Sequence, residues 1–279
     1  IEGPRLADLD VMASTEGAPI PRVYGRARLA GQVIWATRLE EVVTTTVQNS
    51  GGGGGARGGK GFGGGGGGGT TQTVSTTYSY FANIAVGLCE GPIAFVRRVW
   101  ADGQELDLTT VTMRVYTGDE AQDADPLIVA KEGADAVPAY RGLAYVVFER
   151  MPLAAFGNRV PQLSFEVVRP VDGVARMIRA VDIIPGATEF GYQPNLHSSY
   201  PGPGTTVQEN RSQSWAATDW KGSLDALQAL CPNLESVALV VAWFGDDLRA
   251  GHCTIAPRVD NAFKTMPSIF GSDWAVAGL

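Results

Sequence analysis

Between residues 51 and 69, fifteen of nineteen residues are glycine. Glycine loses more backbone freedom on folding than any other residue, so this tract cannot build a core, a helix or an ordinary strand. Any fold the chain adopts must place it between two elements that hold their shape without it. Gly-rich chain behaves as flexible coil, with a span of roughly 24 Å for this length. Its only side chains larger than a methyl are Arg57, Lys60 and Phe62. Two cations and one aromatic amid bare backbone make these the candidate contact residues of the tract.

The flanks predict where the tract sits. "QVIWATRLEEVVTTTVQ" precedes it and "TTQTVSTTYSYFANIAVGLCEG" follows, both rich in residues that suit a pleated, half-buried surface. Val74, Thr76, Tyr78 and Tyr80 alternate with Thr73, Ser75, Thr77 and Ser79, one apolar or aromatic face against one hydroxyl face. The simplest geometry is a long β-hairpin with the tract at its tip. Gly54, Gly59 and Lys60 match part of a phosphate-binding loop, but Gly61 stands where Ser or Thr would hold magnesium. No buried strand precedes the match and no helix follows it, so it is a chance product of composition.

Elsewhere up to residue 170 the pattern is strand and turn. Pro19 and Pro21 forbid helix, and "RVYGRARLAGQVIWAT" reads as strand, turn, strand. Arg22, Arg26 and Arg28 share one face if this segment is extended. Further strands are predicted before the Asp102-Gly103 turn and over 143–149 and 162–168, and the acidic middle of "VTMRVYTGDEAQDADPLIVAKEG" reads as an exposed loop. After Pro170 a short helix is predicted over 173–182. Residues 193–214 read as a Pro/Gly/Ser/Thr linker. "TDWKGSLDALQALCPN" reads as a helix with Thr218 or Asp219 as N-cap, Leu224, Leu227 and Leu230 stepping by three. "SVALVVAWFGDD" reads as a strand buried on both faces, of the kind found in parallel sheets. The expected organisation is a β-rich region over 1–170, a short helical or irregular connector over 171–192, the linker, and the start of an α/β domain over 215–279. The fold class is therefore mainly β, followed by the beginning of an α/β unit.

The formal net charge of -7 argues against gripping nucleic acid, which needs clustered Lys and Arg. It is compatible with DNA passing an acidic wall without specific binding. Charged residues make up only 18% of the chain, a low share that suits a subunit whose surface is covered in an assembly. Cys89, Cys231 and Cys253 are far apart and form no CxxC, so neither a disulfide framework nor a zinc site is expected. His197 and His252 lack neighbouring partner ligands, and Ser198 and Ser199 lack a nucleophile context. No metal, cofactor or catalytic residue is assigned. The weak candidates for barrel acids are Asp246 and Asp247, which follow the "VALVVAWF" strand, since barrel chemistry sits at strand C-terminal ends. The competing reading makes them loop or capping acids. The chain begins at Ile1 and ends on "SIFGSDWAVAGL", and reads as a fragment of something longer.

Three stretches carry a resemblance. "IPRVYGRARLAGQVIWAT" supplies Pro21, Tyr24, Gly25, Arg28 and Gly31, and "YSYFANIAVGLCEGPIAFVRRVWADGQEL" supplies Ala85, Gly87, Cys89, Glu90, Gly91, Pro92 and Ile93. Together they resemble the hub region of tail-tip host-contact proteins of siphophage-like particles, including gene transfer agents and the tail-tip attachment protein of phage lambda. "ATDWKGSLDALQALCPNLESVALVVAWFGDDLRAGHCTIAPRV" is similar to the entry of the glycoside-hydrolase-like TIM-barrel domain of gene-transfer-agent tail proteins. The resemblance implies a homotrimeric structural hub, built from β-barrel and β-sandwich domains over 1–170, that closes the distal end of the tail tube in the virion baseplate and takes part in host attachment and DNA delivery. It implies assembly in the producer-cell cytoplasm. It implies as partners the distal tail ring protein, the adjacent hub protein, a host envelope receptor and a membrane or peptidoglycan surface. A non-enzymatic role is expected for this chain. The alternatives are a cell-wall glycosidase whose catalytic barrel lies mostly outside it, and a Gly-rich adhesin.

Overall fold

The computed structural model describes residues 17–50, 71–171, 173–184 and 190–256. Two antiparallel sheets form most of it. The first contains β2 (Gln32–Ala36), β3 (Glu40–Ser50), β4 (Thr71–Glu90), β7 (Thr112–Tyr116) and β8 (Leu143–Pro152). It runs in the order β2-β4-β8-β7, with β3 also paired to β4. The second contains β1 (Gly25–Ala30), β5 (Phe95–Ala101), β6 (Gln104–Glu105) and β9 (Leu163–Arg169), in the order β1-β9-β5-β6. The expected mainly β architecture is what the chain adopts.

The sheets face each other through one apolar core. Ile84, Val86 and Leu88 alternate along β4, and with Val146 and Phe148 of β8 they meet Val96, Val99, Phe165 and Val167 of the second sheet. The rings of Phe148 and Phe165 lie 6.4 Å apart. Alternation along each strand sends the other residue set to the opposite face. On the first sheet that outer face is also covered: Ala85, Tyr145 and Val147 pack against Ile128. Ile128 lies on α1 (Pro126–Glu132), a helix that the sequence pattern missed. Its one buried residue gives no helical period, but Asp125-Pro126 is a usable start signal, a capping acid before a proline in the first turn.

The β4 strand is long because it pairs within the sandwich over one half and runs on into a ribbon over the other. Residues 81–90 pair with β8, whereas 71–81 pair with β3 from Glu40 to Ser50. The predicted hairpin flanks are therefore present as a two-stranded ribbon. The tract between them, with Arg57, Lys60 and Phe62, lies outside the described residues.

Beyond the sandwich come α2 (Val174–Met177), β10 (Ala180–Ile183), β11 (Ser198–Gly202), β12 (Thr205–Gln208), α3 (Asp219–Leu230), β13 (Ser236–Leu239), β14 (Phe244–Gly245) and β15 (Ile255–Ala256). The helix expected over 173–182 is cut to Val174–Met177, and Ala180–Ile183 is instead a strand. Its β-branched residues pair in parallel with β13, a partner more than fifty positions away that no local pattern reveals. Within the expected linker, β11 and β12 form a hairpin that turns at Gly204, whose φ is +76°. Thr218 is the N-cap of α3, accepting from the Lys221 amide, and Asp219 is the first helical residue. The β10–α3–β13 segment is thus a parallel pair joined through a helix. Its second strand is four residues long rather than a continuous buried run, and Val241 and Trp243 beyond it stand about two-thirds exposed.

Candidate functional site

Four features combine chemistry or unusual exposure: the ribbon, the far end of its long strand β4, the buried acid beside α1, and the junction with the α/β segment. In the ribbon, Val43 lies opposite Tyr78, Thr45 opposite Thr76 and Val47 opposite Val74. These pairs form one face, and Val42–Ser79, Thr44–Thr77 and Thr46–Ser75 form the other. The predicted division into apolar and hydroxyl faces is therefore realised across both strands. Val43, Val47 and Val74 are each about half exposed. Ten residues of strand span about 33 Å, and a two-stranded ribbon alone is only marginally stable in water. An arm of this length with an apolar face is suited to be covered by a neighbour.

The end of β4 farthest from the ribbon brings the two halves of the sequence pattern together. The Glu90 amide donates to the Pro21 carbonyl at 2.9 Å, and Arg22 lies 3.3 Å from the Glu90 carboxylate. Arg169 donates to the carbonyls of Glu90 and Gly91. Gly91 donates to Gly142 and Ile93 to Thr117. A Cβ on Gly91 would sit 2.3 Å from the Gly118 carbonyl oxygen, and one on Gly31 would sit 2.2 Å from Val86. These glycines are required by close backbone approach. Cys89 is fully buried, and that burial raises its thiol pKa.

At the edge of the first sheet, Asp125 is wholly buried. It accepts from Arg114 Nε at 2.7 Å, from the Tyr116 hydroxyl at 2.7 Å and from the amides of Leu127 and Ile128. Burial opposes its ionisation, but Arg114, Tyr116 and the Ile128 amide outweigh that and hold its pKa below the usual carboxylate value. Burial and the bond to Asp125 push the Tyr116 hydroxyl up to about 12. Arg114 also reaches Glu149 at 2.6 Å. This network is structural: it fastens α1 to the sheet.

The junction is held by Arg211, whose side chain is 9% exposed and lies 2.6 Å from Asp107. Leu108 donates to the Ser214 carbonyl, and Phe95 stacks on Trp215 at 6.3 Å. The Arg211 bond, helped by Thr109 and opposed by burial, lowers Asp107 to about 2. A group whose folded pKa is depressed stabilises fully above its unfolded pKa, near 4, and loses that contribution as pH falls through the folded value. The Asp107 side chain is 37% exposed, so solvent screens the pair, and Asp107→Asn is expected to cost about 1 kcal/mol at neutral pH. The difference from the wild type should shrink progressively between about pH 4 and 2 in urea titrations. A gap independent of pH over that window would refute the assignment.

Beside this junction is a cavity of about 590 Å³, lined by Arg97, Arg98 and Glu105 from the second sheet, by Ile183 and Ile184, and by Trp215, Asp219, Trp220 and Ser223 around the start of α3. Sequence reading singled out none of these as a site, because they come from segments more than a hundred residues apart. Asp246 and Asp247 are not among its lining. Asp246 accepts from the Thr254 amide at 2.7 Å, and Asp247 pairs with Arg249, which lowers its pKa. Both serve their own loop. His197 stacks on Phe190 and bonds Gln193, and the His252 amide donates to Arg249. Among the described residues no three His, Cys, Asp or Glu side chains converge as a metal site.

No family model matches the chain, and no curated protein does. A solved structure of the virion of a native gene transfer agent (GTA) particle contains a chain 43% identical over 62% of this one, with a TM-score of 0.42. The present chain spans about a third (32%) of that chain's length. The likeness rests on the shared sequence rather than on the overlay: this chain is similar to a component of a gene transfer agent virion.

Proposed function

We propose that this chain is a structural component of a gene-transfer-agent-like virion, acting as the hub of its tail tip. The observation that carries the reading is the 43% identity to a chain of such a virion. The Pro21–Gly31 and Ala85–Ile93 motifs fit the same reading, since Pro21 and Arg22 are bonded to Glu90. In this proposal the sandwich domains form a homotrimeric ring that closes the distal end of the tail tube. The exposed ribbon reaches a neighbour, and a distal tail ring protein, an adjacent hub protein and a host envelope receptor are the partners. The β10–α3–β13 unit is the start of a TIM-barrel-like domain, and the chain's part is mechanical rather than catalytic. Particle DNA passes without specific binding, in keeping with the net charge of -7.

The glycine tract, with Arg57, Lys60 and Phe62, is proposed as the contact segment at the end of the arm. Replacing 51–69 with a two-residue Asn-Gly turn is expected to leave the melting temperature of the purified chain unchanged, because the tract contributes no core. It should reduce gene delivery by particles carrying it at least tenfold. Unimpaired assembly, genome retention and delivery would make the tract an inert spacer. Immunogold labelling of purified particles tests the location, with label expected at the free end of the tail. Label on the head would reject the hub reading.

A further inference from the structure

The free edge of the second sheet is unused by the reading above, and we propose that it takes up an acidic, extended segment of a partner protein as an added strand. β1 lies at the end of the order β1-β9-β5-β6, and among the described residues it pairs only with β9. An edge strand turns the N–H and C=O groups of alternate residues away from its sheet, a template for a further strand. Proline, a bulge or shortness commonly blunts such an edge. β1 has six residues and no proline, and its register with β9 runs unbroken from Gly25–Arg169 to Ala30–Ser164. Ala27 and Leu29 pack on the core, so Arg26, Arg28 and Ala30 point to the exposed face. The two arginines repel a second copy of the same edge but attract carboxylates.

Charge on that face selects the partner. Arg26, Arg28 and Arg97 share a single carboxylate. Glu166 lies 3.5 Å from Arg26 and 3.8 Å from Arg97, and its buried Oε2 has no hydrogen bond among the described residues. Arg28 donates through Nε to the Ser164 hydroxyl and lies 4.0 Å over the Trp100 ring. It has no carboxylate partner among the described residues. Arg98, next to Arg97, is neutralised by Glu105. The face therefore carries excess positive charge in a chain of net charge -7, and the Arg26 side chain is 62% exposed. Two carboxylates spaced i, i+2 on an added strand would stand opposite Arg26 and Arg28 and balance them. An apolar pocket of about 260 Å³ adjoins the same edge. Ala30, the last residue of β1, forms part of its wall with Pro19, Ile20, Pro21 and Ile34. An antiparallel strand, the more stable pairing, meets Ala30 first and Arg26 last. From its N-terminus the partner segment thus reads apolar-x-acid-x-acid. In such strand addition the main chain supplies affinity and alternate side chains supply specificity.

The test is independent of where the protein sits in a particle. The purified full chain is titrated with a fluorescein-labelled peptide, Leu-Thr-Glu-Thr-Glu-Thr, and with a form carrying Lys in place of Glu, following anisotropy. Saturable binding of the acidic peptide is expected, with a Kd of about 100 μM or tighter. It should weaken at least threefold between about 50 and 500 mM salt, and the basic peptide should not bind. N-methylation of the peptide's Glu nitrogens or of its Thr nitrogens should abolish binding for one set and spare the other, because only alternate residues of an added strand bond to β1. Arg26→Gln, at an exposed side chain, should leave the circular dichroism spectrum unchanged and weaken binding at least threefold. Replacing the peptide's Leu with Ser should do the same. No saturable binding to the wild type overturns the proposal, as does binding that Arg26→Gln leaves unchanged. Tighter binding of a labelled oligothymidylate would assign the arginines to nucleic acid instead. The chain's own Leu6, Asp8 and Asp10 carry the same spacing. Peptide binding seen only with Asp8→Asn and Asp10→Asn together would give the edge to that segment and overturn the outside partner.

Discussion

Asp125→Ala is expected to lower the stability of the chain by about 3–5 kcal/mol, the cost of stripping one partner from a buried ion pair. Three losses coincide at that position. Arg114 keeps only Glu149, and the Tyr116 hydroxyl loses its acceptor. The amides of Leu127 and Ile128 lose their cap, a change worth about 1 kcal/mol by itself. The consequence reaches the sheet, because α1 is what covers Ala85, Tyr145 and Val147. Domains have only about 5–15 kcal/mol to lose, so a fall in melting temperature of roughly 10 °C or more is expected. Asp125→Asn, which keeps an acceptor for the amides but removes the charge, should fall between the wild type and Asp125→Ala. The Asp125 pKa is lowered in the folded state, so its contribution is present at neutral pH and disappears as pH falls through the folded value. Calorimetry of the three proteins at neutral pH and at about pH 3 checks this. Equal melting temperatures at neutral pH would refute it.

A comparable loss is expected for Gly118→Ala. Gly118 has a φ of +82°, and an added Cβ would lie 2.6 Å from the Ala144 amide nitrogen and 2.8 Å from the Gly91 Cα. The left-handed backbone alone costs a side chain about 1 kcal/mol. The contacts are with backbone of buried Ala144 and Gly91, which cannot yield as a flexible side chain would. We expect a total of about 3 kcal/mol or more, seen as a leftward shift of the urea midpoint with an unchanged slope. Gly103→Ala is the internal control: its φ is +83°, but nothing lies within 4 Å of the added carbon. It should show the backbone cost without the clash. If Gly118→Ala were no worse than Gly103→Ala, the close packing of 91 on 118 would be wrong.

These two sites differ in how far the sequence reveals them. Alternation from Thr73 to Tyr80 was enough to divide the ribbon into its two faces, because a strand's period is local. The motif around Gly91-Pro92 was visible only through the resemblance, and its contact with Pro21 not at all. Asp125 was hidden, since seven residues of helix with one buried position leave no periodic trace. Ala180–Ile183 was misread as helix because its apolar residues suit either period over so short a run, and only its parallel partner β13 decides. The cavity was least legible of all. Arg97, Ile183 and Trp220 meet only through the Asp107–Arg211 junction, and no spacing in the chain encodes that meeting.

The central claim concerns place in a particle, and cryo-electron microscopy of intact particles at side-chain resolution tests it most directly. The account predicts density for this sandwich in three copies around the tail axis at the distal end of the tube, with each ribbon from Glu40–Ser50 and Thr71–Tyr80 packed against a neighbour. Finding the chain in the head, or at the tail tip without three-fold symmetry and with its ribbons in open solvent, would contradict it.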